Sequence, residues 1–237
     1  MRALLFAAGR GERMRPLSDA TAKPLLRAGG KRLIEWQIEA LVHAGVEAII
    51  VNTAHLAAQI EETLGDGRRY GTRLLYSREG EDAAAALETR GGVVKALPLL
   101  GAEPFIVASG DIVTDYDYAS LATPLAAIAR GEIDAHLVLV DNPPYHAAGD
   151  MGLARGRIRR EPPLLTFANI ALFSPALFDG LPTVRAPLFP WLYRLVERGR
   201  VGGEHFRGRW HNVGTPGDLA RLDAELEAAA PQPQAER

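Results

Sequence analysis

Cysteine is absent from this chain of 237 residues. That absence excludes disulfides, zinc–thiolate centres and thiol nucleophiles. An excess of either charge is missing too. The 27 Lys and Arg against 29 Asp and Glu leave a formal net charge of −2, without the basic excess that a nucleic-acid surface needs. No apolar run is long enough to span a bilayer. The apolar opening breaks at Gly9 and then turns basic, the reverse of the order in a secretory leader. The expectation is a cytoplasmic protein with small-molecule partners, no nucleic-acid surface and no membrane, as a monomer or small homo-oligomer. Histidines are few, and no pair of them has metal-ligand spacing.

What is present is an ordinary globular composition, 47% hydrophobic and 24% charged, in a chain long enough for one large α/β domain. The first half alternates strand and helix patterns. Strands are predicted at 2–7, 47–51, 72–76 and 104–108, and helices at 33–44, 56–64 and 92–100. In the helix at 33–44, Leu33, Trp36, Ile38, Leu41 and Val42 lie close to one stripe. This order implies a parallel sheet with right-handed crossovers. The second half is less regular. Strands are expected at 135–140 and 165–173, a hairpin at 153–158 around Gly156, and helices at 189–198 and 216–229. Residues 141–150 read as a loop, the alanine run at 83–86 as a mobile loop or helical turn, and the tail at 230–237 as disordered. No linker divides the chain.

The richest stretch is Leu4-Leu5-Phe6-Ala7-Ala8-Gly9-Arg10-Gly11-Glu12-Arg13-Met14-Arg15-Pro16-Leu17, followed by Lys23-Pro24. A buried strand runs into a glycine-rich loop that presents several cations. Backbone N–H groups in such a loop can surround phosphates while the cations neutralise them. Two familiar phosphate loops fail the test. A dinucleotide fingerprint needs glycine at 14 and an acid after the second strand, where the chain has Met14 and Asn52. A P-loop needs G-K after its four variable residues, but Gly11 is followed by Glu12.

The string from Ala7 to Leu17, with Lys23-Pro24, resembles the signature of the sugar-1-phosphate nucleotidyltransferases. More narrowly, the chain is similar to the N-acetylmuramate-1-phosphate uridylyltransferases of peptidoglycan recycling. The supporting strings are Asn52-x-Ala54-His55-Leu56-x-x-Gln59-Ile60, Leu87-Glu88-Thr89-x-Gly91-Gly92, Gly110-Asp111, Val140-Asp141-Asn142-Pro143, Gly149-Asp150, Leu165-Thr166-Phe167 and Val213-Gly214-Thr215. They run to about residue 225.

The resemblance implies a single Rossmann-like domain over 1–229, with a mixed, mainly parallel sheet and helices on both faces. Its nucleotide half would be about 1–115 and its sugar-phosphate half about 116–229. It implies Arg13, Lys23 and Asp111 as catalytic residues. Nucleotide contacts would come from Ala7, Ala8, Gly9, Gly11, Glu12, Asn52, Glu79, Gly91 and Gly92, and sugar-phosphate contacts from Asp150 and Asn169. Mg²⁺ is the implied cofactor, on Asp111 and Asn212. The chain departs from the family pattern at Asn212, where a second metal-binding aspartate is usual. Arg90 stands where a small residue is usual, and the loop at 81–86 is long. No hexapeptide-repeat domain of the kind found in bifunctional relatives is expected.

The implied reaction is attack of a sugar-1-phosphate oxygen on the α-phosphorus of UTP, giving UDP-MurNAc and pyrophosphate. A phosphate monoester has a second pKa of about 6, so no general base is required. Other readings stay open: the same transfer with mannose, heptose or glucose 1-phosphate and another base, or a silent nucleotide-sugar sensor. Individual residues have plainer readings. Asp111 could cap a helix after its strand, Arg15 could be a surface ion pair, His55 a helix cap, His146 and His205 exposed loop residues, and Trp210 a core or rim aromatic.

Overall fold

Residues Arg2–Phe6 form strand β1, and its side chains alternate between two apolar layers. Ala3 and Leu5 bury on one face and Leu4 on the other, as a strand covered on both sides requires. The computed structural model describes residues 1–80 and 83–229. The expected disordered tail and two residues of the loop at 81–86 lie outside them.

The first half continues with α1 (Leu17–Ala20), a short hairpin of β2 (Arg27–Ala28) and β3 (Lys31–Arg32), and α2 (Leu33–His43). Next come β4 (Ala48–Thr53), α3 (Ala57–Leu64), β5 (Arg73–Arg78), α4 (Glu88–Leu100), β6 (Phe105–Ser109) and β7 (Ile112–Thr114). The second half holds α5 (Ala122–Ala129), β8 (Ala135–Val140), β9 (Met151–Ala154), β10 (Arg157–Arg159) and β11 (Leu164–Phe173). It ends with α6 (Trp191–Glu197), β12 (Val201–His205), β13 (Trp210–Asn212) and α7 (Pro216–Ala229).

Nine strands make the main sheet, in the order β5-β4-β1-β6-β11-β8-β12-β10-β9. The first four are parallel. Beyond β6 the sheet is mixed: β11 runs antiparallel to β6, β8 and β9, and of the later pairs only β8 and β12 are parallel. The expected "mainly parallel" sheet therefore holds for the first half alone. Side chains of α2, α3 and α5 close one face, and those of α4 and α6 the other. A third cluster seats Leu222 of α7 against Met14, Leu33 and Val213.

Strand order explains where a ligand can sit. The chain leaves β1 toward β4 and β5, then returns to the other side of β1 as β6. In open α/β sheets the crevice outside the carboxyl ends at such a reversal is the ligand site. The loop after β1 carries Gly9, Gly11 and Arg13, and the turn after β6 carries Asp111. Gly110 donates its N–H to the Phe6 carbonyl at 2.9 Å, which ties this turn to the end of β1.

Candidate active site

A chain of hydrogen bonds holds the start of the glycine loop. Ala7 N–H donates to Asn52 Oδ1 at 2.6 Å, and Asn52 Nδ2 donates to Glu79 Oε1 at 2.6 Å. The second Glu79 oxygen accepts the Leu87 N–H at 2.6 Å. Burial pushes the Glu79 carboxyl up, against the opposing pull of the Leu87 N–H and the Asn52 amide. Gly92 belongs to this brace. A Cβ there would lie 2.5 Å from Glu79 Oε1 and 2.9 Å from Asn52 Nδ2. Gly91 packs against the Val184 carbonyl, where a Cβ would collide. Both glycines lie in α4, whose start at Glu88 precedes the predicted helix start at 92.

A second set of bonds places the cations. Gly11 adopts φ +66 with Lys23 Cβ only 3.1 Å from where its own Cβ would be, so glycine suits both the backbone and the approach. Ser18 Oγ donates to the Gly11 carbonyl at 2.8 Å. Gln59 of α3 grips the segment before Lys23 twice, donating to the Ala20 carbonyl at 3.0 Å and accepting the Ala22 N–H at 2.6 Å. Lys23 Nζ then forms an ion pair with Asp111 Oδ2. Buried Gln37 donates to the Ile112 carbonyl at 2.8 Å and accepts the Tyr118 hydroxyl, which steadies the backbone after Asp111. The Arg13 guanidinium lies over Gly214, close enough that a Cβ there would sit 3.3 Å from its Nη1.

These groups open on a cavity of about 890 Å³. Of the expected site residues, Ala7, Ala8, Gly9, Gly11, Glu12, Arg13, Lys23, Asn52, Glu79, Asp111 and Asn169 line it. Gly91 and Gly92 stand behind the wall rather than in it. Asn169 sits in β11 at φ +55, where the register with β8 shifts. A non-glycine residue in the left-handed region within a strand is strained, and such strain gathers at functional sites. Trp210 donates to the neighbouring Ala168 carbonyl at 3.1 Å. Asp150 points elsewhere: its oxygens accept the Phe167 N–H at 2.8 Å and meet His146 Nε2 at 3.0 Å. They tie the 141–150 loop to β11.

The donor chemistry fits Mg²⁺. This ion takes oxygen ligands and often uses one or two carboxylates together with substrate phosphates. Asp111 supplies a carboxylate at the crevice. Asn212 pairs across to Ile112 in the β7–β13 ladder, and Val213 N–H donates to the Asp111 carbonyl at 3.1 Å. An amide oxygen thus stands on the next strand. No group of three or more His, Asp or Glu side chains disposed to hold a metal occurs among the described residues, so any metal there would lean on substrate oxygens.

The model of the nucleotidyl transferase family matches residues 2–155. The chain belongs to this family. An N-acetylmuramate alpha-1-phosphate uridylyltransferase of Neisseria meningitidis is 44% identical over 221 residues, covering 91% of this chain and 94% of that one. The enzyme of the same name from Caulobacter vibrioides is 32% identical, covering 96% of each. A Bacillus anthracis structure, assigned as a glucose-1-phosphate thymidylyltransferase in complex with sucrose, superposes at a TM-score of 0.82. It shares 18% identity, covering 99% of this chain and 98% of that one, and so shows a common α/β fold.

Several plainer readings are settled or corrected by this nucleotidyl transferase geometry. Arg15 pairs with Asp19 at 3.1 Å on the surface. His55 does not cap α3; it meets the Ser18 carbonyl at 3.2 Å and braces the cation loop. His146 and His205 are partly buried and each meets an aspartate; His205 ends strand β12, and the loop of His146 is tied to β11 through Asp150. Arg90 spends its N–H on Ala186 at 3.0 Å and does not line the cavity. Residues 83–85 form a helical turn, and Ala84 and Ala86 line the cavity wall. Sequence reasoning missed Arg185, which pairs with Glu88 at 2.9 Å on the rim. It also missed Asp218, which holds the Gly214–Thr215 strip. That one was legible, since Thr215-x-x-Asp218 before an apolar pattern is a helix-start signal.

Proposed function

We propose that this chain transfers a uridylyl group from UTP to N-acetylmuramate 1-phosphate, giving UDP-MurNAc and pyrophosphate in cell-wall recycling. The observation that carries the reading is the placement of Arg13, Lys23 and Asp111 around one crevice, in a chain 44% identical to an enzyme of that name over nearly its whole length.

The sugar-phosphate oxygen attacks the α-phosphorus, the bond to the β-phosphate breaks, and pyrophosphate leaves with the electron pair. The nucleophile is largely ionised at neutral pH, so the residues need only gather polyanions and hold them in line. Backbone N–H groups of residues 8–11, which line the cavity, would face the nucleotide, while the Ala7 N–H is taken by Asn52. Arg13 and Lys23 neutralise phosphate oxygens where charge grows in the transition state. Asn52, fixed by Glu79, keeps Ala7 in place. Asn169, which lines the cavity, would meet the sugar phosphate. Asp111, with Asn212 on the neighbouring strand, would hold Mg²⁺, which would supply positive charge to offset that of the phosphates. Asp150 would act on the sugar side through the loop it anchors.

A matrix of nucleoside triphosphates against sugar 1-phosphates, read by pyrophosphate release, tests the reading. UTP with N-acetylmuramate 1-phosphate should be the preferred pair. Preference for GTP with mannose 1-phosphate would move the chain to another branch of the family, and no release from any pair would favour the silent sensor.

A further inference from the structure

A second cavity, of about 590 Å³, takes only Asn212 from the expected site residues. It lies between the loop at 140–145 and the segment at 206–213, which carries the turn joining β12 to β13. Asn212 and Val213 line it, while the next residue, Gly214, lines the first cavity under Arg13. The two cavities therefore share one strip of backbone at 212–214. Tyr145 stands over this strip. It is 60% exposed, and its hydroxyl lies near the Asn212 side chain. A molecule whose phosphate lies at Arg13 and Asp111 can extend its other end across the strip.

The charges in this cavity are matched except at one place. Arg221 pairs with Asp218, His205 with Asp141, and His211 with Glu225. Arg207 has no carboxylate partner among the described residues. Its Nε makes only a long 3.4 Å contact with His205 Nδ1, so the two Nη groups remain open. Pro143, Pro144, Phe206 and Trp210 supply apolar wall. An unmatched guanidinium beside apolar rings, one strip away from a phosphate site, fits a small carboxylate on a short carbon stem. The volume is within the usual range for ligand pockets, about 300–1,000 Å³.

From this we infer that the second cavity is the subsite for a carboxylate-bearing substituent of the sugar, held by Arg207. The inference rests on the proposed uridylyl transfer, in which the acceptor carries a lactyl ether. It goes further by naming where the acid is read and what rejects neutral sugars. A site built for a charge-assisted contact discriminates strongly against an analogue that lacks the partner, because its own polar group is then left unpaired.

The test compares N-acetylmuramate 1-phosphate with N-acetylglucosamine 1-phosphate, which differ by the lactyl group alone, in the wild type and in Arg207→Gln and Arg207→Lys. With UTP saturating, Arg207→Gln should lower kcat/KM for the acidic sugar at least ~10-fold. It should leave the neutral sugar within about twofold, with the thermal midpoint unchanged. Arg207→Lys should recover part of the preference. An equal loss for both sugars would make Arg207 a phosphate or folding residue and overturn the inference. A wild-type preference that survives in Arg207→Gln would also overturn it. A wild type with no preference for the acidic sugar would instead bring down the proposed substrate, and this subsite with it.

Discussion

Replacing Lys23 by alanine removes a positioned charge from the crevice and leaves Asp111 without its partner. We expect kcat to fall at least ~10²-fold, the scale for one preorganised transition-state donor. Lys23→Arg should not restore it, because a planar fork cannot replace a compact ammonium. Stopped assays at saturating UTP would show this, and near-wild-type turnover in Lys23→Ala would remove the residue from the mechanism. Asn52 gives a separate prediction. Asn52→Ala strands the buried Ala7 N–H and removes one of the two bonds that hold the half-buried Glu79 carboxylate. An unpaired buried group costs about 1–3 kcal/mol, so both thermal midpoint and UTP affinity should drop. Both residues were legible in the sequence, Lys23 through its loop and Asn52 through its string. The bond between Asn52 and Glu79 was not, because it joins residues 27 positions apart. Nor was the inward use of Asp150, which looked free for substrate but is committed to Phe167 and His146.

At the level of elements, helices act on the site through their ends and polar faces. Gln59 projects from α3 to clamp the backbone at 20–22. Gln59→Ala should therefore lower kcat while leaving most of the stability, whereas a residue that only packs would lower the midpoint alone. Asp218 caps α7, accepting from the Thr215 N–H at 2.9 Å and the Thr215 hydroxyl at 2.8 Å. Burial tends to raise its carboxyl, but these bonds, the Gly214 N–H and Arg221 together hold it below the usual range. A carboxyl more acidic in the folded state stabilises fully above its unfolded pKa of about 4 and loses that contribution as pH falls through the folded value. Asp218→Ala should cost about 1 kcal/mol near neutral pH, and thermal scans should show the gap to wild type closing in acid. Regular elements of the first half were readable from periodicity. Strand β12 was not. Its Val201-Gly202-Gly203 start carries no alternation, and the glycines serve packing: a Cβ at 203 would strike Ile158, and one at 202 would sit 3.1 Å from His136. Strands β7 and β13, with three residues each, are too short to show a period.

For the whole molecule, the parallel pairing within β5-β4-β1-β6 follows from the β-α alternation of the first half, so a site at the carboxyl ends of those strands could be anticipated. The antiparallel additions around β11 could not, because long-range pairing of that kind leaves no local mark. The second cavity arises from those additions, which is why no reading of the sequence alone reaches it. If the crevice between β1 and β6 is a uridylyl-transfer site, the phosphorus attacked is fixed by the loop that holds it. Incubating the protein with N-acetylmuramate 1-phosphate and UTP labelled at either the α- or the γ-phosphate decides this most directly. The account predicts the α-label in UDP-MurNAc and the γ-label in pyrophosphate, with both signals lost in Asp111→Ala. A γ-label carried into the sugar, or released as orthophosphate, would contradict it.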